Sequence, residues 1–216
     1  MSFHQVKLDN FDGVLIDLDD TLYAYEPAHK FALEAVCAAG FIADRAEFAR
    51  DYRVARDIIV KRLSPQGACR SRLLAFQHLL ESQHGGFSFK KALDFERIYW
   101  SSFMDAMKLD AGALSFLKRC SVSKKPVCVV TDMTAAVQIE KLGKLGVYDF
   151  IDYIVTSEEV GAEKPDRLMF ETAMRKLGLT PDRVVMIGDH PQKDIEGAAT
   201  LGIATVQVRL TDGVQR

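Results

Sequence analysis

From residue 126 onward, apolar segments of strand length alternate with amphipathic segments of helix length. The strand candidates are residues 126–131, 151–156, 183–188 and 203–208, and the helix candidates lie near 134–145, 165–177 and 192–201. Each helix candidate is followed by a glycine where helix ends favour one, namely Gly146, Gly178 and Gly202. Strands that are apolar throughout and alternate with helices are typical of a parallel sheet covered on both faces. This half of the chain therefore predicts an α/β fold.

A further strand candidate, residues 11–17, is separated from the others by a segment that predicts helices and no strands. Within this segment, apolar residues form four stripes with helical spacing. The stripes are Ala28, Phe31, Ala35 and Ala38; Phe48, Tyr52, Ala55 and Ile59; Leu73, Phe76 and Leu80; and Ala92, Phe95, Tyr99 and Phe103. The short breaks between them, one marked by Gly85–Gly86, favour an antiparallel helical bundle. We predict a core of residues 1–22 and 108–216, with a helical domain of residues 23–107 inserted after the first strand.

Composition and charge exclude several classes of protein. The 216 residues are 48% hydrophobic and 27% charged, an ordinary balance for a globular protein. The net charge of −2 gives no overall basic field for nucleic acid or an anionic membrane. The apolar runs are far shorter than a membrane span, and the first ten residues lack the pattern of a secretory signal. We expect a cytoplasmic monomer or homodimer with no nucleic-acid or membrane partner.

The cysteines predict packing rather than chemistry. They are Cys37, Cys69, Cys120 and Cys128. No two of them form a CxxC pair, and no histidine stands at metal-ligand spacing from them. We therefore interpret them as small apolar core residues or loop residues.

Four polar residues stand at the ends of strand candidates or in the loops that follow them. These residues are Asp17, Thr131, Lys164 and Asp189. In an open parallel sheet, ligands bind beyond the carboxyl ends of the strands. The sequence therefore predicts that two carboxylates, a hydroxyl and an ammonium meet at one edge of the sheet.

Phosphoryl transfer is the chemistry that these groups suit. A carboxylate can attack phosphorus and form an aspartyl-phosphate. Because the carboxylate and the phosphate are both anions, a cation is needed between them, and Mg²⁺ favours carboxylate and phosphate oxygens. A lysine and a threonine can bind the remaining phosphate oxygens and offset the charge that develops during the reaction. We therefore expect a Mg²⁺-dependent enzyme that acts on a small phosphorylated substrate.

Four short motifs carry a resemblance to a known family. Residues 17–21, DLDDT, resemble the DxDxT signature of the haloacid dehalogenase superfamily, most of whose members are Mg²⁺-dependent phosphatases. The other family motifs follow in order as Thr131, Lys164 before Pro165, and GDHPQKD at residues 188–194. The helical segment resembles the C1-type cap that one large subclass inserts after the first motif. The resemblance covers essentially the whole chain and implies a Rossmann-like, three-layer core with an inserted helical-bundle cap.

The resemblance assigns roles around the first motif. Asp17 would be the nucleophile and a Mg²⁺ ligand. Asp19 would protonate the leaving oxygen and then activate water, while its backbone carbonyl reaches the metal. In an extended chain, side chains two residues apart point the same way, so Asp17 and Asp19 can share a site while Asp20 points elsewhere. We expect the side chain of Asp20 to form a hydrogen bond or a cap in the turn, and we interpret Thr21 as a structural residue.

The later motifs complete the expected site. Thr131 and Lys164 would bind the substrate phosphate, with Lys164 also holding the side chain of Asp17. Asp189 would bind Mg²⁺. Asp194 would support the metal shell directly, through water or through Lys164.

Two residues depart from the family pattern. Asp132 stands where many relatives carry asparagine, and a carboxylate aimed at phosphate would repel it. Either the carboxylate turns away, so that only the backbone N–H meets the phosphate, or it contacts another part of the substrate. His190 stands where a small polar residue is common. We expect it to contact solvent or help close the site, not to be catalytic.

The presence of Asp19 narrows the reaction. By the resemblance, dehalogenases and phosphonate-cleaving relatives lack an aspartate there, so we predict a phosphoric monoester hydrolase acting on a metabolite or nucleotide monophosphate. A phosphomutase of the same family has both aspartates, so this motif leaves phosphomutase activity as an alternative. A switch that signals through phospho-Asp is disfavoured by the motif order, and an inactive scaffold is disfavoured by the intact motif set.

The segment just after the first motif is the expected hinge of the cap. Its candidate specificity residues are Tyr23, Tyr25, Glu26 and His29. They either face the substrate pocket or, in the case of the two tyrosines, pack at the junction between core and cap. The sequence leaves these two alternatives open.

Overall fold

The computed structural model describes residues 3–40, 42–84 and 89–210. Five parallel strands form one sheet, namely β1 Gly13–Ile16, β2 Val127–Thr131, β3 Tyr153–Thr156, β4 Val184–Gly188 and β5 Ala204–Gln207. Their order across the sheet is β3-β2-β1-β4-β5, so the first strand of the chain lies at the centre. Each strand falls within one of the five predicted segments, which confirms the α/β class.

The parallel arrangement brings the carboxyl ends of the strands to one edge of the sheet. β1 pairs with β2 on one side and with β4 on the other, so that Leu15 is aligned with both Cys128 and Met186. The pairing continues one residue beyond β1, because the backbone N–H of Asp17 donates to Ile187 O at 2.9 Å. The residue that follows β1 is therefore held at the centre of this edge.

Helices flank the sheet and form the segment between β1 and β2. They are α1 Tyr25–Ala39, α2 Arg45–Leu63, α3 Arg72–His84, α4 Phe89–Ala106, α5 Ala111–Val122, α6 Ala135–Lys144, α7 Ser157–Val160, α8 Arg167–Leu177 and α9 Gly197–Ala199. A π-helical turn, Pro191–Glu196, stands before α9 where the sequence predicted a regular helix. The three glycines predicted to follow helices have φ between +67° and +78°, which glycine adopts without steric cost.

Helix α5 was not predicted from the sequence. It begins after Asp110, whose carboxylate accepts the backbone N–H of Ala113 at 2.8 Å and so caps the first turn. Phe116, Leu117 and Cys120 form its buried face. This helix covers one face of the sheet and leads from the helical segment into β2.

Two apolar layers hold the central strand from both sides. Leu15 packs in the layer that contains Phe170 of α8. Val14 and Ile16 face the opposite layer, which contains Phe116 of α5. Successive strand residues point to opposite faces, and all three residues of β1 named here are fully buried. Truncating a buried leucine or isoleucine such as Leu15 or Ile16 to alanine typically costs about 2–5 kcal/mol, so this packing fixes the strand end firmly.

The four helices α1–α4, called the cap helices below, pack mainly on one another. The second and fourth predicted stripes are buried as expected, and all four cysteines are buried and unbonded to one another. The third stripe is buried except that Leu73 is only partly covered. The predicted turn at Gly85–Gly86 lies outside the described residues. The division of the chain at residues 22/23 and 107/108 stays a prediction.

The prediction for the first helical stripe was wrong. Only Ala28 of that stripe is buried, and Phe31 is 52% exposed. The buried face of α1 instead contains Ala32, Leu33, Val36 and Cys37. Apolar residues surround much of this helix, so more than one stripe of helical spacing fits its sequence. Of the described helices, none combines the length and the apolar character needed to cross a membrane.

Candidate active site

A buried cluster of charged side chains lies at the carboxyl edge of the sheet. Lys164 Nζ donates to Asp17 Oδ1 at 2.5 Å and to Asp194 Oδ1 at 2.6 Å. These three residues are at most 6% exposed. One carboxylate oxygen from each of Asp17, Asp189 and Asp194 lies within 4.8 Å of the others. Residues that follow β1, β3 and β4 therefore meet at one point.

Thr21 connects two of the clustered carboxylates. Its hydroxyl lies 3.1 Å from Asp17 Oδ2 and 3.4 Å from Asp189 Oδ1. Thr21, interpreted from the sequence as structural, thus lies in the site, where its hydroxyl orients the two carboxylates. Its place as the final position of the DxDxT pattern was the signal that could have identified it.

Close packing holds Asp194 in the cluster. A Cβ atom on Gly188 would lie 2.4 Å from the carboxylate carbon of Asp194, so only glycine leaves room there. The backbone N–H of His190 donates to Asp194 Oδ2 at 3.0 Å. The imidazole of His190 accepts the N–H groups of Gln192 and Lys193 at 3.3 and 3.2 Å. His190 thus caps the π-helical turn that carries Asp194.

The cluster holds an excess of negative charge. Burial raises the pKa of Asp17 well above its usual range, and nearby Asp194 raises it further against the effect of Lys164. Burial, together with Asp194 and Asp20, raises the pKa of Asp189 to about 6. Burial alone would lower the pKa of Lys164, but the neighbouring carboxylates raise it. A further cation at this point would relieve the repulsion among the carboxylates.

The carboxylate of Asp19 belongs to a second network beside the cluster. Its Oδ1 lies 2.7 Å from Lys141 Nζ and also accepts the hydroxyl of Tyr23. Its Oδ2 accepts a hydrogen bond from Gln138 Nε2 at 3.2 Å. Burial raises the pKa of Asp19, but the Lys141 ammonium and these hydrogen bonds outweigh burial and lower it. Asp19 is therefore held as an ionised carboxylate at neutral pH.

Sequence reasoning missed Gln138 and Lys141, which both lie on α6. Lys141 is fully buried, and its ammonium lies 5.3–5.8 Å from four aromatic ring centres. Those rings belong to Tyr23, Tyr25, Trp100 and Phe103. The available signal was the presence of two polar residues, three positions apart, on the same face of an amphipathic helix as Leu142.

The loop after β2 presents Thr131 next to this network. Thr131 Oγ1 accepts Gln138 Nε2 at 2.5 Å. Two residues later, Met133 has φ of +115°, a conformation that residues other than glycine rarely adopt. The Met133 N–H donates to the buried hydroxyl of Ser157 at 2.7 Å, which anchors the loop.

Both carboxylate oxygens of Asp132 are engaged by protein donors. Oδ1 accepts the backbone N–H of Lys164 at 2.9 Å, and Oδ2 lies 2.6 Å from Lys193 Nζ. The carboxylate therefore links the loops after β2, β3 and β4, and its charge is paired with Lys193. A role of Asp132 at the substrate phosphate stays a prediction.

The residues that follow the first motif have different environments. Asp20 has φ of +61°, and its carboxylate accepts the backbone N–H of Tyr25 at 2.8 Å, which confirms the predicted turn hydrogen bond. Tyr23 is buried at the junction with its hydroxyl on Asp19. Tyr25 lines the cavity described next, whereas Glu26 is exposed and His29 bonds within the cap helices.

A cavity of about 280 Å³ lies between the sheet edge and the cap helices. All the predicted site residues line it, namely Asp17, Asp19, Thr131, Asp132, Lys164, Asp189 and Asp194. Tyr25, Arg56, Arg70 and Arg72 of the helical segment line it from the other side. The site is therefore lined by two separate parts of the chain.

A bidentate ion pair joins these two parts. Arg70 Nε and Nη2 each lie 2.7 Å from a carboxylate oxygen of Glu163, the residue before Lys164. Charge-assisted fork pairs of this kind fix orientation as well as distance. The turn that carries Arg70 is thus held against the loop that carries Lys164.

Comparison with known families identifies the chain as a hydrolase. A family model described as haloacid dehalogenase-like hydrolase matches residues 11–202. The chain belongs to this family, and its predicted class, phosphoric monoester hydrolase, is confirmed.

Named relatives and a solved structure agree with this assignment. The chain is 34% identical over 198 residues to ribulose-1,5-bisphosphate 5-phosphatase of Halopiger xanaduensis, with 90% of this chain and 83% of the relative covered. It is 32% identical over 201 residues to glyceraldehyde 3-phosphate phosphatase of Methanopyrus kandleri, with 91% and 83% covered. In fold it resembles the HAD-hydrolase YfnB of Bacillus subtilis, solved bound to magnesium, with a TM-score of 0.74, 19% identity, and 92% and 89% of the two chains covered.

Proposed function

We propose that the protein is a Mg²⁺-dependent phosphatase that hydrolyses a small phosphate monoester through an aspartyl-phosphate on Asp17. The observation that carries the proposal is the cluster of Asp17, Lys164, Asp189 and Asp194 at one end of the cavity beneath the cap helices. Support also comes from the two relatives named as phosphatases of small phosphorylated sugars. Asp19, beside the cluster, is the proposed general acid and base.

The donor set of the cluster fits Mg²⁺. Three carboxylates offer hard oxygen ligands within 4.8 Å of one another, and the one ammonium among them leaves net negative charge. We assign Asp17 and Asp189 as side-chain ligands, Asp194 as ligand or support, and the backbone carbonyl of Asp19 as a further ligand. When bound, Mg²⁺ supplies the positive charge that lets a carboxylate and an anionic phosphate approach each other.

The first half of the reaction transfers the phosphoryl group to the protein. The carboxylate of Asp17 forms a bond to phosphorus, and the ester P–O bond breaks. Lys164 holds Asp17 Oδ1 at 2.5 Å and, with the hydroxyl of Thr131, binds phosphoryl oxygens. The negative charge of the bound substrate favours the protonated form of Asp19, which takes up a proton from solvent and gives it to the leaving oxygen, so the product departs as an alcohol.

The second half of the reaction regenerates Asp17. Asp19, now ionised, takes a proton from a water molecule, whose oxygen attacks phosphorus and displaces the carboxylate of Asp17. Inorganic phosphate leaves and Asp17 is free again. The Lys141 ammonium, 2.7 Å from Asp19 Oδ1, favours the ionised form that this step needs. Lys141 and Gln138 thereby act as positioning residues for Asp19.

Residues 23–107 act as the cap of this site in the proposal. Their arginines and Tyr25 form the wall opposite the nucleophile, and the Arg70–Glu163 pair holds that wall in place. Excluding bulk water strengthens every electrostatic interaction inside the cavity and protects the acyl-phosphate.

Steady-state assays with a panel of phosphate monoesters test the proposal. We expect turnover with Mg²⁺, loss of turnover with a chelator, and a loss of at least about 10³-fold in Asp17→Asn. Asp182→Asn, the same change at an exposed site, serves as the matched control and retains full activity. Wild-type rates in Asp17→Asn would contradict the mechanism. Conversion of a sugar phosphate into its isomer would instead indicate a phosphomutase, and a stable phosphoprotein without turnover would indicate a switch.

A further inference from the structure

Two arginines of the cap helices face the reaction cavity. Arg56 lies on α2, and Arg72 is the first residue of α3. Both line the cavity that also contains Asp17 and Lys164. Arg72 is 3% exposed, so its guanidinium is almost completely removed from solvent. Positive charge on the cap side thus stands opposite the proposed phosphate site.

The charges of these two arginines have no carboxylate counterpart among the described residues. Arg70, beside them, is fully matched by its fork with Glu163. Arg72 instead donates from Nη1 to the carbonyl of Arg70 at 3.0 Å and from Nη2 to the hydroxyl of Tyr25 at 2.5 Å. The Nε atoms of Arg56 and Arg72 are buried without an acceptor.

The groups around Arg56 and Arg72 hold the Arg72 guanidinium in place without neutralising the positive charge of the two arginines. The Arg72 guanidinium lies 5.5 Å from the ring centre of Tyr99 and 5.4 Å from that of Trp100. Such cation–π contacts are attractive but bring no negative charge. The charge of Arg72 is the largest cause that lowers the pKa of Arg56, ahead of burial. Two like charges confined in this way are costly unless an anion lies between or beside them.

We infer that Arg56 and Arg72 form a second anion subsite, which binds a phosphate or carboxylate group at the end of the substrate remote from the scissile phosphate. Guanidinium groups suit this task because their planar N–H donors match the oxygens of both anions. The inference rests on the proposed phosphatase function, since the first anion is the phosphate held at Lys164 and Thr131.

The subsite selects a chemical class of substrate. The favoured compound has an anion at each end and is either a sugar bisphosphate or a phosphorylated carboxylate. One of its anions binds at the cluster around Lys164, and the other binds at the arginines. A monophosphate with a neutral far end leaves the arginine pair unmatched and gains less binding energy. The relative from Halopiger xanaduensis is named for a bisphosphate and that from Methanopyrus kandleri for a monophosphate, so their names do not decide which class this protein binds.

Matched substrate pairs test the subsite. Ribulose 1,5-bisphosphate and ribulose 5-phosphate differ in a second phosphate, and 3-phosphoglycerate and glyceraldehyde 3-phosphate differ in a carboxylate. We expect kcat/KM to be at least about tenfold higher for the doubly anionic member of one pair or both, since charge-assisted hydrogen bonds are stronger than neutral ones. The pair with the larger ratio identifies the preferred anion. Ratios near one for both pairs would overturn the inference.

Variants on α2 make the test specific. We expect Arg56→Gln to reduce the larger of the two kcat/KM ratios at least about fivefold, and Arg56→Lys to reduce it less. Arg53→Gln, on the exposed face of the same helix, is expected to leave this ratio unchanged. An unchanged ratio in Arg56→Gln would overturn the assignment of the subsite. Circular dichroism confirms that each variant is folded.

The failure of the subsite and the failure of the phosphatase function are distinguishable. Hydrolysis of p-nitrophenyl phosphate, which has no second anion, reports on the phosphatase function alone. Calorimetric binding of each substrate pair to Asp17→Asn reports on the subsite without turnover. Equal affinities for the members of both pairs would overturn the subsite even where hydrolysis proceeds, and a preference for the double anion would support it even where hydrolysis is absent.

Discussion

Three aspartates within four residues have three different environments. Asp17 is buried against Lys164, Asp19 is paired with Lys141, and Asp20 turns to cap the start of α1. Because the backbone turns at Asp20, where φ is +61°, the third carboxylate points to the start of α1 rather than to Lys164. The different proposed roles of Asp17 and Asp19 therefore depend on the lysine that each carboxylate contacts.

Lys141→Met tests how the acid and base residue is controlled. Methionine has similar length and suits the aromatic surroundings, so we expect the fold to be retained. Without the ammonium, the pKa of Asp19 rises, and the ionised form that activates water is reached only at higher pH. We predict a loss of about 10- to 100-fold in kcat and an upward shift of the acidic limb of the kcat–pH profile.

Lys144→Met on the same helix is the control for this experiment. Lys144 is partly exposed and pairs with Asp105 at the surface, so its loss is expected to leave kcat and the profile unchanged. An unchanged profile in Lys141→Met would show that Lys141 does not tune Asp19.

At the scale of the residue, the motif positions could be predicted and their partners could not. The meeting of Asp17, Thr131 and Lys164 at one edge of the sheet could be predicted from strand ends and the loops that follow them, while their roles stay a prediction. Gln138 and Lys141 lie in no such pattern, and their importance depends on the rotation of α6, which brings its polar residues over the end of β1 and β2. That rotation is set by tertiary packing rather than by helix periodicity alone.

At the scale of the element, the strands could be predicted more closely than the helices. A buried parallel strand is apolar along its whole length, so its limits are clear from residues such as Asp17 and Asp189 that end it. Helix α1 is apolar around most of its surface, and its buried face could not be chosen without its neighbours. The short π-helical turn at Pro191–Glu196 is likewise fixed by the contacts of Asp194 and His190 rather than by local preference.

The contact between the Gly67–Arg70 turn and the loop after β3 is expected to control closure. Arg70→Met removes both hydrogen bonds to Glu163 and leaves that carboxylate without its main partner. We predict a rise in KM of about tenfold, because the cavity wall is no longer held over the substrate. Steady-state kinetics with Glu163→Gln and the double variant give the coupling energy, which we expect to be about 1 kcal/mol, close to the 1.4 kcal/mol that a tenfold change in KM represents.

The exposed change Arg50→Met on α2 is the control for the closure experiment, and it is expected to leave KM unaltered. Strictly additive effects of the Arg70 and Glu163 substitutions would show that the ion pair does not hold the cap helices closed.

At the scale of the whole molecule, protons and Mg²⁺ are expected to compete for the same cluster. The pKa of Asp189 is raised to about 6, above its value of about 4 in an unfolded chain. Between these values the folded protein binds a proton that the unfolded chain does not, so this group makes the metal-free protein more stable as the pH falls from 7 to 4. Mg²⁺ binds the ionised form, so its stabilising effect runs in the opposite direction.

Thermal unfolding with and without Mg²⁺ measures this competition. At pH 7.5 we predict that saturating Mg²⁺ raises Tm by about 5 °C or more, with a smaller rise at pH 5. Asp189→Asn is expected to lose most of the Mg²⁺ effect at both values. A Mg²⁺ effect of equal size at pH 5 and pH 7.5 would contradict the competition.

Trapping the phosphorylated protein tests the central claim most directly. Wild-type protein is mixed with substrate and Mg²⁺, quenched in acid within milliseconds, and digested for mass spectrometry. We predict one hydroxylamine-sensitive phosphoryl group on the peptide that contains Asp17, formed and lost at rates compatible with turnover, and none in Asp17→Asn. A phosphoryl group on another residue, or turnover in Asp17→Asn at the wild-type rate, would contradict the assignment of Asp17 as the nucleophile.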